Sequence, residues 1–400
     1  MDIRVYIDKY LGTFFSIIIL LEIVQFFYMT GTHYSFLSIT TIALCILIIE
    51  KLINEKRFIF SNLIFCLFLI CFIEMIKSVY NYNISLLQVI ENSSYILIVL
   101  SYYIFAYSIR TLNKNIVLNI FMIFVLILST ILLFQYYLYD KIGFFIYIER
   151  HDFRFGSLRM TQGEGIINII IIIAFGQILN NNKYKWNQII SYLTFFIGLA
   201  ELILVQKTRY AILCVVVSCI IMIFIKNIKR FLTFIILFSI LALLYFFIKN
   251  TTFYDQYISS LSNSEGSLMT RNLEIQFYLD QFKDHKTFGM GFTPENSTIK
   301  SGFFGSYFRD DVGIVGLLNT FGIVGFVWYI LMLGKSILII LKSISLNTIK
   351  YSYECLGLII FVILTSATLI ITDPQRIVGL PIFFALLDYL YYVSQDKAKN

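Results

Sequence analysis

Charge is what this sequence has least of. Only 14% of its 400 residues are Asp, Glu, Lys or Arg, where soluble proteins carry about 25%. Proline occurs three times, histidine three times and tryptophan twice. Too little polar surface is available to cover a globule in water, and the hydrophobic share of 59% exceeds the usual 45–50% or so. Mean hydropathy is +0.82. Common catalytic signatures are missing as well: there is no Walker loop, no dinucleotide glycine motif, no Gly-x-Ser-x-Gly and no His-Glu-x-x-His, so ATP-driven transport and common hydrolase chemistry receive no support. His33, His151 and His285 are spaced too widely to suggest a zinc site, and no metal or other cofactor is expected. The six cysteines (Cys45, Cys66, Cys71, Cys214, Cys219, Cys355) all fall inside apolar runs and read as small buried hydrophobes, not disulfides or ligands. The net charge of +7 does not point to nucleic acid, because cytoplasmic loops of membrane proteins are basic in any case.

What is present is a series of apolar runs, many of them near twenty residues, too long and too continuous for transmembrane strands. The expected fold is an all-α polytopic membrane protein, a single integral membrane domain over 1–400. About twelve spans are placed at 10–29, 34–50, 58–76, 94–109, 116–139, 166–179, 187–205, 210–225, 231–248, 312–333, 353–371 and 377–393. The first of these is read as a span, not as a signal segment. Lys51, Lys56, Arg57, Arg110, Lys114, Lys183, Lys185, Lys226, Lys229, Arg230, Lys335, Lys342 and Lys350 share one side of this arrangement with the chain ends, and short loops on the other side are poor in charge. The positive-inside bias then puts both termini in the cytoplasm. Two polar loops face outward: 140–165, and the large 249–311 between the ninth and tenth spans. Connections usually run about 4–6 residues, so some sixty residues on one side are expected to cap a site.

Outward basic residues run against that bias. Arg154 and Arg159 lie in the first loop, Lys207 and Arg209 in the 206–209 turn, Arg271 and Arg309 in the second. Solvated loops account for any one of them, while an anionic ligand accounts for them together. Thr270 is placed to N-cap a helix from Arg271 to about Lys283 that lies along the membrane or packs on the spans. An arginine in its first turn opposes the macrodipole unless it shares an anion with the helix amides. Gly313, Gly316, Gly322 and Gly325 allow close helix packing, which is preferred to a break near Gly322. Acids within spans are costly; interfacial placement or pairing accounts for most of Glu22, Glu74, Glu201, Glu354 and Asp388. Glu201 lies about two turns before Arg209 and supports the basic cluster on one reading.

Arginine forks match phosphate oxygens. A lipid diphosphate therefore suits Arg154, Arg159, Arg209 and Arg271 if they converge, with a nearby acid or histidine to deprotonate a sugar hydroxyl. Asp310 and Asp311, where the loop enters a span, are the best-placed acids, and each is equally placed as a helix cap.

An ordered set of motifs carries a family resemblance. It runs Lys207-Thr208-Arg209-Tyr210-Ala211 at the start of a span, Arg271 heading a helix, Asp284-His285-Lys286-Thr287-Phe288-Gly289-Met290-Gly291, then Asp311-Val312-Gly313 through Phe321-Gly322-Ile323-Val324-Gly325. This set resembles the O-antigen polymerase and O-antigen ligase superfamily of bacterial surface-polysaccharide assembly, mainly over 200–335. The resemblance implies about twelve spans and a large late outer loop. It implies Arg209 and Arg271 on the diphosphate of an undecaprenyl-linked glycan, with Arg154, Arg159 and Arg309 as further candidates. Ligases of that superfamily have a histidine where the loop re-enters the membrane; this chain has Arg309-Asp310-Asp311. The general base is then Asp310, Asp311 or His285, and polymerase is favoured over ligase. The implied activity is metal-independent polymerisation of lipid-linked repeat units into capsular or O-antigen-type polysaccharide, on the outer face of the cytoplasmic membrane. The implied partners are the undecaprenyl-diphosphate-linked glycan, membrane lipid and other polysaccharide-assembly membrane proteins. A flippase for the lipid-linked repeat is the rival from another class.

Overall fold

A computed structural model describes residues 58–112, 114–146, 148, 151–154, 157–180, 185–226, 265–292, 308–348 and 352–399. Of these, 81% are helical. The helices are α1 (Ser61–Tyr82), α2 (Leu86–Ser93), α3 (Ser101–Thr111), α4 (Lys114–Ile142), α5 (Glu164–Asn180), α6 (Lys185–Glu201), α7 (Arg209–Lys226), α8 (Glu265–Asp284), α9 (Ile314–Ser345), α10 (Tyr353–Thr365) and α11 (Leu380–Lys399). A 3-10 stretch, Ser94–Leu100, joins α2 to α3. Seven helical segments among the described residues are long and apolar enough to cross a membrane: Ser61–Tyr82, Leu86–Thr111, Lys114–Ile142, Lys185–Gln206, Arg209–Lys226, Ile314–Ser345 and Ile377–Lys397. Glu164–Asn180 and Tyr353–Thr365 are shorter apolar helices. The expected spans at 10–29, 34–50 and 231–248 lie outside the described residues.

The packing is inverted relative to a water-soluble bundle. On α1 the buried stripe Ile64, Leu67, Cys71, Glu74, Ser78 follows the three-and-four spacing of one helix face and includes an acid and a serine. Phe65 and Phe72, on the other face, are 64% and 62% exposed. Large apolar side chains outward and polar ones inward is what a hydrocarbon surround demands. At the centre stands α5, whose residues Ile166 to Ala174 are all buried; it packs against α4, α6, α7 and α10.

The successive helices reverse direction, so the bundle has two ends of different character. One end gathers Arg110, Lys114, Lys226 and Lys335. Buried acids answer two of these cations: Arg110 pairs with Asp388, and Lys114 lies 2.6 Å from Glu354. Glu354 also accepts from Gln177 (3.2 Å), Asn180 (3.0 Å) and Ser352 (3.1 Å), and Asp388 accepts from Tyr102 Oη (3.2 Å) and the amide of Ile59 (3.1 Å). Pairing thus accounts for both acids. Lys226 caps the carbonyl of Leu179, and Lys335 that of Ile59. We call this the lysine end.

The other end carries the irregular structure. Residues expected only as loop form an antiparallel hairpin, β1 (His151–Arg154) with β2 (Ser157–Met160), in the register His151 with Met160 and Arg154 with Ser157. Two expectations are corrected here. First, α8 starts at Glu265, so Thr270 does not cap it. Arg271 is in the second turn, where the macrodipole has faded, and the argument for a shared anion lapses. Its buried residues are Glu274 and Tyr278, and it packs along α9.

Second, α9 breaks. Gly322 has φ +63° and ψ −161°, a backbone open to glycine and strained for any other residue. In a continuous helix Ile323 and Val324 would donate to Asn319 and Thr320. Here they donate to Lys286 (2.8 Å) and Thr287 (3.2 Å), while the carbonyls of Asn319 and Thr320 accept from Met290 (2.6 Å) and Gly291 (3.0 Å). The 286–291 segment is therefore spliced into the helix. A side chain at Gly289 would collide with the backbone of Asn319 and Thr320. From the other flank α1 secures the same segment: Lys77 Nζ donates to Phe288 and Gly289 (2.9 Å each), Asn81 to Met290 (3.0 Å), and Ser78 Oγ accepts from Phe292 (2.7 Å).

Candidate functional site

The hairpin end assembles polar side chains from six separated stretches. The first is the turn between α6 and α7. There α6 ends in one turn of π-helix, Leu202–Gln206, and Lys207 takes a left-handed conformation (φ +53°). The turn is pinned to the hairpin by Arg159, whose Nε donates to the Gln206 carbonyl at 2.7 Å and whose guanidinium reaches Thr208 Oγ1 (3.4 Å) and Asp152 (3.3 Å). Lys207 turns inward. Its ammonium donates to the Leu158 carbonyl at 2.8 Å and lies over the Tyr136 ring, 5.0 Å from its centre. Burial lowers its pKa to about 8, with Asp152 opposing and Arg159 adding to the fall. Gln206 in turn donates to Glu201 at 2.7 Å, and Glu201 is fully buried.

A second focus is Arg376, on the short connection between α10 and α11. Its side chain, 11% exposed, lies against Glu164 (3.7 Å), at the start of α5, and Asp373 (3.1 Å). The charges of Asp310 and Asp311, on a single 3-10 turn Arg309–Asp311, act on both Arg376 and Asp373. Burial first, then Asp310, holds the Asp373 carboxyl well above its ordinary pKa, against the pull of Arg376. Arg376 also lines a cavity of about 10 Å³ with Asn168 and Thr365, roughly the space of one water.

The third focus links the first two. The charge of Arg271 reaches Tyr210, the neighbour of Arg209, and Glu274, one turn further along α8. Glu274 accepts from the amide of Phe308 at 3.1 Å. Burial, followed by the Asp311 charge, raises its pKa, while that hydrogen bond and Arg271 oppose the shift. Arg309 donates to the Gly291 carbonyl at 2.9 Å. Two bonded groups therefore stand at this end of the bundle: Arg159, Gln206, Thr208 and Glu201 around the α6–α7 turn, and Glu164, Asp373 and Arg376 beside the 3-10 turn.

Of the residues singled out from the sequence, Arg159, Arg209, Arg271, Arg309, Asp310, Asp311 and Glu201 all lie on this end. The residues preceding the 3-10 turn and α9 are Phe308 and Gly313, so neither Asp310 nor Asp311 stands at a helix N-cap. Asp310 and Asp311 make no side-chain hydrogen bond or ion pair among the described residues. His285 is set apart, at the foot of α8 beside the Gly322 break, its amide bonded to the Phe282 carbonyl. The side chain of Arg154 lies outside the described residues, as do 293–307 of the large loop. Glu164, Asp373 and Arg376 were not singled out, and they change the charge balance. The expected cluster of guanidinium groups is better described as arginines interleaved with acids. Among the described residues no group of three or more His, Cys, Asp or Glu is arranged to hold a metal.

The arrangement presents two chemistries side by side. Around the start of α7 are cations able to bind an anion. Around the 3-10 turn are carboxylates able to accept a proton. No family model matches this chain, and no curated protein sequence is similar to it.

Proposed function

We propose that the chain is a membrane glycosyltransferase that joins lipid-linked oligosaccharide repeat units at the outer face of the cytoplasmic membrane. The observation that supports this reading is that Arg159, Arg209, Arg271, Asp310 and Asp311 lie at one end of the bundle, with Arg159 bonded to the α6–α7 turn, while Lys114, Lys226 and Lys335 gather at the opposite end. Guanidinium forks hold the two phosphates of the prenyl carrier, and their charge offsets the negative charge that grows as the diphosphate departs. A sugar hydroxyl of one repeat unit attacks the anomeric carbon of the growing chain. Asp310 or Asp311 takes the hydroxyl proton, the bond from the anomeric carbon to the diphosphate oxygen breaks, and undecaprenyl diphosphate leaves. The mixed acid–base end and the predominantly cationic lysine end give the molecule the polarity that one-sided chemistry needs.

The test is reconstitution. Purified protein given lipid-linked repeat units in the presence of chelator should build a ladder of longer glycans, and Arg271→Ala and Asp311→Asn proteins that still fold should not. Transfer of finished glycan to a different acceptor would favour the ligase reading. Movement of labelled lipid across the bilayer with no new glycosidic bond would favour a flippase and overturn the proposal.

A further inference from the structure

At the lysine end, away from the proposed site, the beginning of α1 and the far ends of α9 and α11 enclose a cleft of about 720 Å³. That volume falls within the roughly 300–1,000 Å³ of ligand pockets. Its walls carry Asn62 from α1, Lys335, Leu338 and Lys342 from α9, and Tyr391 and Tyr392 from α11. The two lysines are seven residues apart, so they share one face of α9 about 10 Å from each other along the axis. Lys335 lies over the Phe60 ring (5.2 Å) and Lys342 over the Tyr391 ring (5.8 Å). Neither has a carboxylate within ion-pair distance among the described residues. Their neighbour Arg110 is different: it is paired with Asp388 and stacked on Tyr392 at 4.0 Å. The cleft therefore has an excess of positive charge, with phenol and amide groups beside it. It opens beside a strongly apolar surface, for Leu338 and Leu341 on the same helix are 67% and 56% exposed.

We infer that this cleft binds the headgroup of an anionic phospholipid in the leaflet at the lysine end. The ammonium groups of Lys335 and Lys342 take the phosphate, Tyr391, Tyr392 and Asn62 offer hydrogen bonds to the glycerol and ester oxygens, and the acyl chains lie along Leu338 and Leu341. A small soluble anion would satisfy the lysines and leave the apolar wall uncovered. Basic pockets between spans at the cytoplasmic side are the physical type of site that selects such lipids.

The inference is independent of the reaction proposed above. Full-length protein in neutral detergent should melt at a higher temperature when the micelles contain phosphatidylglycerol than when they contain phosphatidylcholine. Glycerol 3-phosphate at the same concentration should have no effect. Affinity for phosphatidylglycerol should fall about fivefold for each lysine removed, so the Lys335→Gln, Lys342→Gln protein should lose most of the difference. Because Lys335 also caps a carbonyl, Lys342→Gln alone is the second variant, read by native mass spectrometry as retained phosphatidylglycerol. Equal stabilisation by both lipids, a full effect from glycerol 3-phosphate, or unchanged retention by Lys342→Gln would each overturn the inference.

Discussion

At the scale of single residues, Arg376 shows how a site escapes a reading of the sequence. Arginine in a five-residue connection looks like a solvated loop charge, and nothing in its neighbours marks it. Its meaning comes from Glu164, more than two hundred residues earlier, and from Asp310 and Asp311. Arg209 and Arg271 were legible because each sits in a local motif, whereas Arg376, Glu164 and Asp373 are brought together only by tertiary folding. Removing the guanidinium leaves the buried Glu164 and the largely covered Asp373 without their cation, so Arg376→Met should cost about 3–5 kcal/mol of stability. Unfolding of the purified variant will measure that, and adding Asp373→Asn should recover part of the loss. Lys207 supports a second expectation. Folding lowers its pKa from 10.5 to about 8, chiefly by burial. Between those values the unfolded chain binds the extra proton, so this lysine's contribution makes stability rise as pH climbs from about 8 to about 10.5 and then level off. The melting temperature of wild type relative to Lys207→Met should therefore increase over that window, and a flat difference would count against the assignment.

At the scale of elements, apolar runs located helices, seven of which are long and apolar enough to cross a membrane among the described residues. Nine of the twelve expected runs fall on described helical segments, because the only solution for a long apolar run in lipid is a helix that satisfies its own backbone. Periodicity failed where backbone pairing is not local. The hairpin at 151–160 was missed because four-residue strands carry little pattern, and α8 was started too late because its first turn is polar. Gly322 was read as a packing glycine, since the splice with 286–291 joins segments that sequence alone does not bring together. The splice predicts a contrast. Gly289→Ala should destabilise the hairpin end and expose 285–291 to protease, because the added methyl meets backbone that cannot yield. Gly334→Ala, in the same α9 with nothing within 4 Å of an added Cβ, should be neutral or stabilising by up to about 1 kcal/mol. Limited proteolysis and thermal unfolding of the two proteins provide the comparison.

For the whole molecule, the separation of its two ends makes a topological prediction. Single cysteines placed at Asp152 and at Lys397, in a chain otherwise free of cysteine, should react with an impermeant thiol reagent from opposite sides of the membrane, Asp152 from outside in intact cells. Labelling of both from one side would refute the orientation. The splice at Gly322 has a last consequence, for biogenesis. A broken helix with open amides is costly in hydrocarbon, so α9 enters the bilayer most cheaply as an unbroken rod. The kink then forms only when the 286–291 segment arrives to take over the bonds of Asn319 and Thr320. Maturation of the hairpin end is thereby made a late event, separated in time from insertion of the helices beneath it.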